Sequence, residues 1–305
     1  MSENQTKQTS QTNKKIVNAV AEYLDHISKV LPDDVIKALT RLRAEEKNEA
    51  ALSVYDTMFR NMEMAEELGK PLCQDTGIVQ FKVICGAEHP AIGEIGESLR
   101  EAVIKATKEA PLRPNCIETF DETNTGDNIG TGAPAIWWEI EPGRSDLEIC
   151  VYLAGGGCSL PGIAKVFMPG QGYEVIAPFV AERVTEMGLN ACPPLFVGIG
   201  VGNSIEIAAM NSKLALMRDV DSTNENPKAD ALEKELEEKL NYIGIGPQGL
   251  GGSSSVMGVN IVNTVRHPAT LAVAVSFGCW CHRRGIISFD KELNYTSKTH
   301  SKFVR

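Results

Sequence analysis

Long apolar runs are missing from this 305-residue chain: no window approaches eighteen consecutive apolar residues, so no segment suits a membrane-spanning helix. Basic charge is short as well. Thirty Lys and Arg against forty Asp and Glu leave a formal net charge of −10, the wrong sign for a protein whose main partner is nucleic acid. The eight cysteines show no CxxC pair and the histidines no HxxxH pair, spacings that a structural zinc site would normally display. No G-x-S-x-G elbow accompanies Ser253-Ser254-Ser255, which therefore reads as a turn. Met1 to Lys15 is Ser, Thr, Asn, Gln and Lys without an apolar stretch, so residues 1–15 are expected to form a mobile polar tail and not a secretory signal. A cytoplasmic location is the corresponding expectation, and there the cysteines stay reduced.

Carboxylates are missing from two particular stretches. None occurs from Lys239 to Phe289, where Arg266, His267, His282, Arg283 and Arg284 lie, and none from Ile149 to Tyr173, which holds Gly155-Gly156-Gly157. In an acidic protein such clearings suit a small anion, or else mark buried core; for the basic triplet His282-Arg283-Arg284 the anion reading is preferred. With 43% hydrophobic and 23% charged residues, the chain can bury a substantial core. No repeat or low-complexity linker divides it, so a single compact α+β unit over residues 16–305 is predicted.

Apolar residues at Ile16, Val20, Leu24 and Ile27 keep helical spacing; Pro32-Asp33-Asp34 breaks the chain before a second helix with Val35, Ile36, Leu39 and Leu42. A third helix is expected from Asn48 to Leu68, and Val79, Phe81, Val83 and Cys85 alternate as in a strand. Further helices are predicted near residues 93–108, 173–187, 203–217 and 231–241, the third opened by a capping box of Asn203 and Glu206. Strands are expected near 135–140, 147–153, 195–199, 256–262 and 270–277.

Three cysteines stand apart in loops rich in Gly and Pro: Cys73 in Pro71-Leu72-Cys73-Gln74-Asp75-Thr76-Gly77, Cys192 in Asn190-Ala191-Cys192-Pro193-Pro194, and Cys279 in Gly278-Cys279-Trp280-Cys281. Three separate loops suit a cluster with one metal position left open for chemistry. Cys85, Cys116 and Cys150 fall in apolar segments and read as packing residues. Cys281 shares a strand face with Cys279 unless the chain turns at Trp280, and a turn is predicted. Arg113 sits between Pro111 and Pro114, which restrict its backbone. His267 precedes a proline and follows an arginine, a setting that favours a functional role. Gly244-Ile245-Gly246-Pro247-Gln248-Gly249 matches the dinucleotide fingerprint in letters only: a charged helix precedes it, Pro247 interrupts it, and no carboxylate follows at the required distance.

Cys73-Gln74-Asp75-Thr76-Gly77, Ala191-Cys192-Pro193-Pro194, Gly246-Pro247-Gln248-Gly249 and Gly278-Cys279-Trp280 with His282-Arg283-Arg284 together resemble the class I, iron–sulfur fumarase and L(+)-tartrate dehydratase family, in order and over nearly the whole chain. The glycine cluster continues Gly157-Cys158-Ser159-Leu160-Pro161-Gly162, the form found in the tartrate branch. The resemblance implies the cluster-binding domain of that fold and a [4Fe–4S] cluster held by Cys73, Cys192 and Cys279. It places Gln74, Arg113 and the Gly155, Gly156 and Gly157 backbone around a dicarboxylate, with Asp75 and His267 as catalytic residues. It further implies the α subunit of a hydro-lyase that dehydrates L(+)-tartrate to oxaloacetate, or malate to fumarate. In the family the proton-abstracting base belongs to a C-terminal half or a β subunit; none follows Arg305, so a β partner in an α2β2 assembly is expected. An electron-transfer iron–sulfur protein and a zinc-stabilised binding module are the competing classes. The first would favour a fourth cysteine ligand and the second close ligand pairs.

Overall fold

A computed structural model describes residues 3–110 and 112–303. The elements run α1 (Glu3–Lys29), α2 (Asp33–Glu45), α3 (Glu49–Leu68), β1 (Ile78–Gly86), α4 (Ile95–Glu109), β2 (Ile117–Glu118), β3 (Thr123–Asn124), β4 (Ala135–Glu141) and β5 (Leu147–Ala154). They continue with α5 (Gly156–Ser159), β6 (Ile163–Phe167), α6 (Ile176–Met187), β7 (Leu195–Gly202), α7 (Ile205–Ala215), α8 (Pro227–Asn241), β8 (Val256–Asn263), β9 (Leu271–Gly278), β10 (Arg284–Phe289) and β11 (Tyr295–Ser297). The α+β class expected from the sequence is the one observed. The chain divides into two compact units, the first made of residues 1–33, 62–155 and 283–305 and the second of 34–61 and 156–282.

The first unit is built on a mixed sheet ordered β11-β10-β5-β1-β4, in which β1 runs antiparallel to β5 and parallel to β4. Its core follows from two periodicities. On α1, Ile16, Val20, Leu24 and Ile27 are all fully buried, and on β1 the alternating Val79, Phe81, Val83 and Cys85 are buried with them against Leu99, Ala102 and Val103 of α4. The polar segment up to Lys15, set apart in the sequence as a tail, forms the first half of α1, with Met1 and Ser2 outside the described residues.

The second unit carries a sheet ordered β6-β9-β7-β8. Its central strands β7 and β9 are buried along almost their whole length, which is why they read as continuous apolar runs. Gly200 lets α7 lie directly on β7, since a Cβ there would collide with the Ala208 carbonyl.

Several boundaries differ from the sequence expectations. The residue capping α7 is Ser204, in extended conformation, not Asn203; the Glu206 carboxylate is held below its usual range by the Ser204 side chain. Helix α8 starts at Pro227 because Asn226 caps it by accepting the Lys228 N–H. Strands β6 and β10 were not foreseen, and β10 begins on an arginine that is completely buried.

Candidate active site

In the first unit the Cys73 loop links α3 to β1, and its conformation is set from three sides. Asp75 folds back on its own chain, Oδ1 accepting the Gly77 N–H at 2.9 Å. The Asn115 amide donates to Asp75 Oδ1 at 3.3 Å and to the Gly77 carbonyl at 3.1 Å. The buried Arg283 guanidinium donates to the Asp75 carbonyl at 2.7 Å. Gly155 faces the same carboxylate so closely that a Cβ would stand 3.1 Å from Asp75 Oδ2, an approach only glycine makes without displacement.

Arg113 is tied to this loop through its backbone. Its N–H donates to Thr76 Oγ1 at 2.9 Å and its carbonyl accepts from Asn128 Nδ2 at 3.0 Å, while the side chain is exposed. The guanidinium is thus presented by a fixed backbone next to Asp75. Pro114 flanks it as expected; Pro111 lies outside the described residues. Gln74 is exposed and Cys73 half-buried.

In the second unit the Cys192 loop is hydrogen-bonded to both the Cys279 and the Gln248 loops. Trp280 N–H donates to the Cys192 carbonyl at 3.2 Å. Gln248 donates to the Pro193 carbonyl from its N–H at 2.9 Å and from its side-chain amide at 3.2 Å. Cys192 and Gln248 both adopt left-handed backbone conformations, φ 55° and 53°, which non-glycine residues hold only where surrounding contacts impose them. The chain bends at Trp280–Cys281, so Cys281 is buried while Cys279 stays half-buried, the separation predicted for a turn there. Gly156 and Gly157 are exposed at the start of α5. Beneath that segment Lys213 of α7 is pushed below the usual lysine range by burial, with the Cys158 thiol acting in the opposite sense.

Two expectations meet a different geometry. His282, Arg283 and Arg284 do not form a solvent-facing cationic patch; all three are buried, His282 Nε2 contacting the Leu216 carbonyl at 2.8 Å. Arg283 instead shapes the Asp75 loop. His267 is exposed on the loop before β9, Nδ1 accepting the Ala269 N–H, so its ring proton sits on Nε2. Cys279 follows the other end of that eight-residue strand, which is about 26 Å long at roughly 3.3 Å per residue. Cys192 belongs with Cys279, since Phe196 at the start of β7 pairs with Gly278. Within the second unit, then, two cysteines are brought together and His267 is not brought to them.

Of the eight cysteines, none in a disulfide, Cys85, Cys116, Cys150, Cys158 and Cys281 are buried; the three that are reachable are Cys73, Cys192 and Cys279. Among the described residues no three His, Cys, Asp or Glu side chains gather as a site for a single ion. A cubane cluster takes each cysteine on a different iron, so its ligands need no such gathering. Three accessible thiols on constrained loops are a donor set of the right chemistry for one. Asn115, Asn128 and Lys213 escaped the sequence reading. Asn115 follows Pro114 beside Arg113, and Lys213 is the single cation in the sequence of α7; each is a faint signal.

Residues 17–288 match the family described as fumarate hydratase (Fumerase). The chain belongs to that family. Its members are hydro-lyases. The chain is 48% identical to the L(+)-tartrate dehydratase subunit alpha of Escherichia coli strain K12 over 288 residues, 94% of this chain and 95% of that one. The protein of the same name from Shigella boydii serotype 4 is also 48% identical over 94% and 95%. A Methanocaldococcus jannaschii protein, provisionally described as an L(+)-tartrate dehydratase subunit alpha, is 36% identical over 92% of this chain and 100% of its own length. For this fumarate hydratase family member, no helix among the described residues is long and apolar enough to cross a membrane.

Proposed function

We propose that this chain is the cytoplasmic α subunit of an iron–sulfur hydro-lyase that converts L(+)-tartrate to oxaloacetate and water, with malate and fumarate as the second reading because the family description names fumarate hydratase. The observation that carries the proposal is the sorting of the thiols: the three reachable cysteines of eight are those in the family's motifs. Cys73, Cys192 and Cys279 would hold a [4Fe–4S] cluster, which when bound supplies a Lewis-acidic iron to the substrate hydroxyl.

The chain's own residues bind and orient. Arg113, presented on a clamped backbone, grips one carboxylate of the substrate through its forked guanidinium and sets the angle of the adjacent C–H bond. Gln74 and the Gly155–Gly157 backbone supply hydrogen bonds to the remaining oxygens. Asp75, held by the Gly77 N–H and Asn115, orients the substrate hydroxyl and takes part in its proton balance as water leaves. His267 stands at the other end of β9 from Cys279 and takes no part in these steps within the chain. Loss of water from tartrate leaves an enol that becomes oxaloacetate by moving one proton from oxygen to carbon. The base that removes the first C–H proton is assigned to a β subunit, in an α2β2 assembly, in keeping with relatives named as α subunits.

The test is anaerobic purification with the β partner, iron and sulfide titration, and oxaloacetate detection from L(+)-tartrate. Serine at Cys73, Cys192 or Cys279 is expected to abolish the brown chromophore and turnover, and Cys116→Ser to spare both. Loss of the chromophore in Cys281→Ser, or full turnover by the chain without a β partner, would overturn the assignment. Turnover of malate but not tartrate selects the second reading.

A further inference from the structure

The outer edge of the first unit's sheet is β4, and among the described residues no strand pairs with it on the side away from β1. Open edges invite pairing with another chain, and proteins that keep them open blunt them with lysines, prolines, bulges or unopposed charge. None of these is present on β4. Its sequence, Ala135-Ile136-Trp137-Trp138-Glu139-Ile140-Glu141, has no proline or cation, and its ladder with β1 runs seven residues without a register shift. Both of its carboxylates are matched from within: Glu139 by Lys82 at 3.0 Å and Glu141 by Arg144. What remains outward is apolar, with Trp138 42% and Ile140 55% exposed.

The faces are settled by register. Ile136, Trp138 and Ile140 pair with Phe81, Val83 and Cys85, all fully buried, so the three share the face on which α1 and α4 cover the core. The Trp138 ring reaches towards Gly96 near the start of α4, and beyond it the apolar layer runs out to solvent.

We infer that β4 is the pairing edge for a second copy of this chain, joined antiparallel about a two-fold axis through Trp138. The strand is self-complementary about that point. Residue i then faces residue 276 − i of the other copy, which sets Trp138 against Trp138, Ile136 against Ile140 and Trp137 against Glu139. Antiparallel pairing about an axis normal to the sheet keeps like faces together, so the two apolar stripes merge into one layer between the two α4 helices. A register centred on Glu139 would set like charges directly opposite, which favours Trp138 as the centre. The result is a continuous ten-stranded sheet across the dimer, twice the observed five strands.

Sedimentation velocity on the purified full chain, from about 1 to 100 µM, tests this together with amide hydrogen exchange. The wild type is expected to be dimeric, with exchange across 136–140 slowing as concentration rises. Ile140→Lys changes an exposed position, and an unchanged melting temperature checks that it folds; Trp138→Lys is the second variant. Because the contact is isologous each substitution enters twice, and at tenfold per copy the dimer constant should weaken by about a hundredfold. A wild-type chain that stays monomeric, a dimer that persists in both variants, or variants that remain dimeric but no longer bind a β subunit would each overturn the inference.

Discussion

Acid should destabilise the first unit through one histidine, and the effect can be sized. His300 is 1% exposed, with Nδ1 3.1 Å from the Tyr23 hydroxyl and Nε2 3.3 Å from the Val30 carbonyl. Its ring packs edge-on to His26 at 5.1 Å, and its pKa is pushed down to about 3, chiefly by burial, then by His26 and Arg284, against the opposing pull of Val30 and Asp33. A histidine depressed in the folded state takes up its proton only in the unfolded one, so stability falls as pH drops below about 6.5 and goes on falling until about pH 3. At pH 5 the loss from His300 alone is about 2 kcal/mol, growing by about 1.4 kcal/mol per further unit. His26 is depressed as well, by burial first, and acts in the same direction. For a domain of this size 2 kcal/mol corresponds to about 4–8 °C in melting temperature. Calorimetry of wild type and His300→Gln at pH 7.5 and 5.0 isolates the effect, since the glutamine keeps a hydrogen-bonding amide but does not titrate. The wild type should lose about 4–8 °C more than the variant between the two pH values. Equal losses would refute the reasoning, whatever the offset between the two proteins.

Asn115→Ala removes the amide that holds Asp75 Oδ1 and the Gly77 carbonyl, and should lower kcat/KM by about tenfold with iron content unchanged. Arg113→Met should lose about ten- to hundredfold in kcat/KM and Arg113→Lys recover only part, as a point charge does not replace a fork; a change below threefold would remove Arg113 from the site. Phe81→Ala, at a fully buried position between α1, α4 and the sheet, should cost about 3–5 kcal/mol in chemical denaturation, and a loss under 1 kcal/mol would contradict the packing described.

Elements whose signal is short-range are legible in the chain alone. The four-residue spacing of Ile16, Val20, Leu24 and Ile27 and the alternation of Val79, Phe81, Val83 and Cys85 each commit a face to the core, and both faces are buried as read. The three loop cysteines were legible for the same local reason, since glycine and proline punctuate their surroundings. Strand β10 was hidden because it opens on Arg284, and a buried arginine is recognisable only when its surroundings are known. Tertiary structure alone decided that Arg283 reaches the Asp75 carbonyl across 208 positions of chain, so that a triplet read as a binding patch serves as scaffold. It also decided that Asn115 bridges forty positions to Asp75, and that His267 and Cys279 occupy opposite ends of β9. Periodicity reports which way a side chain points from its own element; which group it meets there depends on pairing between segments far apart in the chain, and no local pattern encodes that.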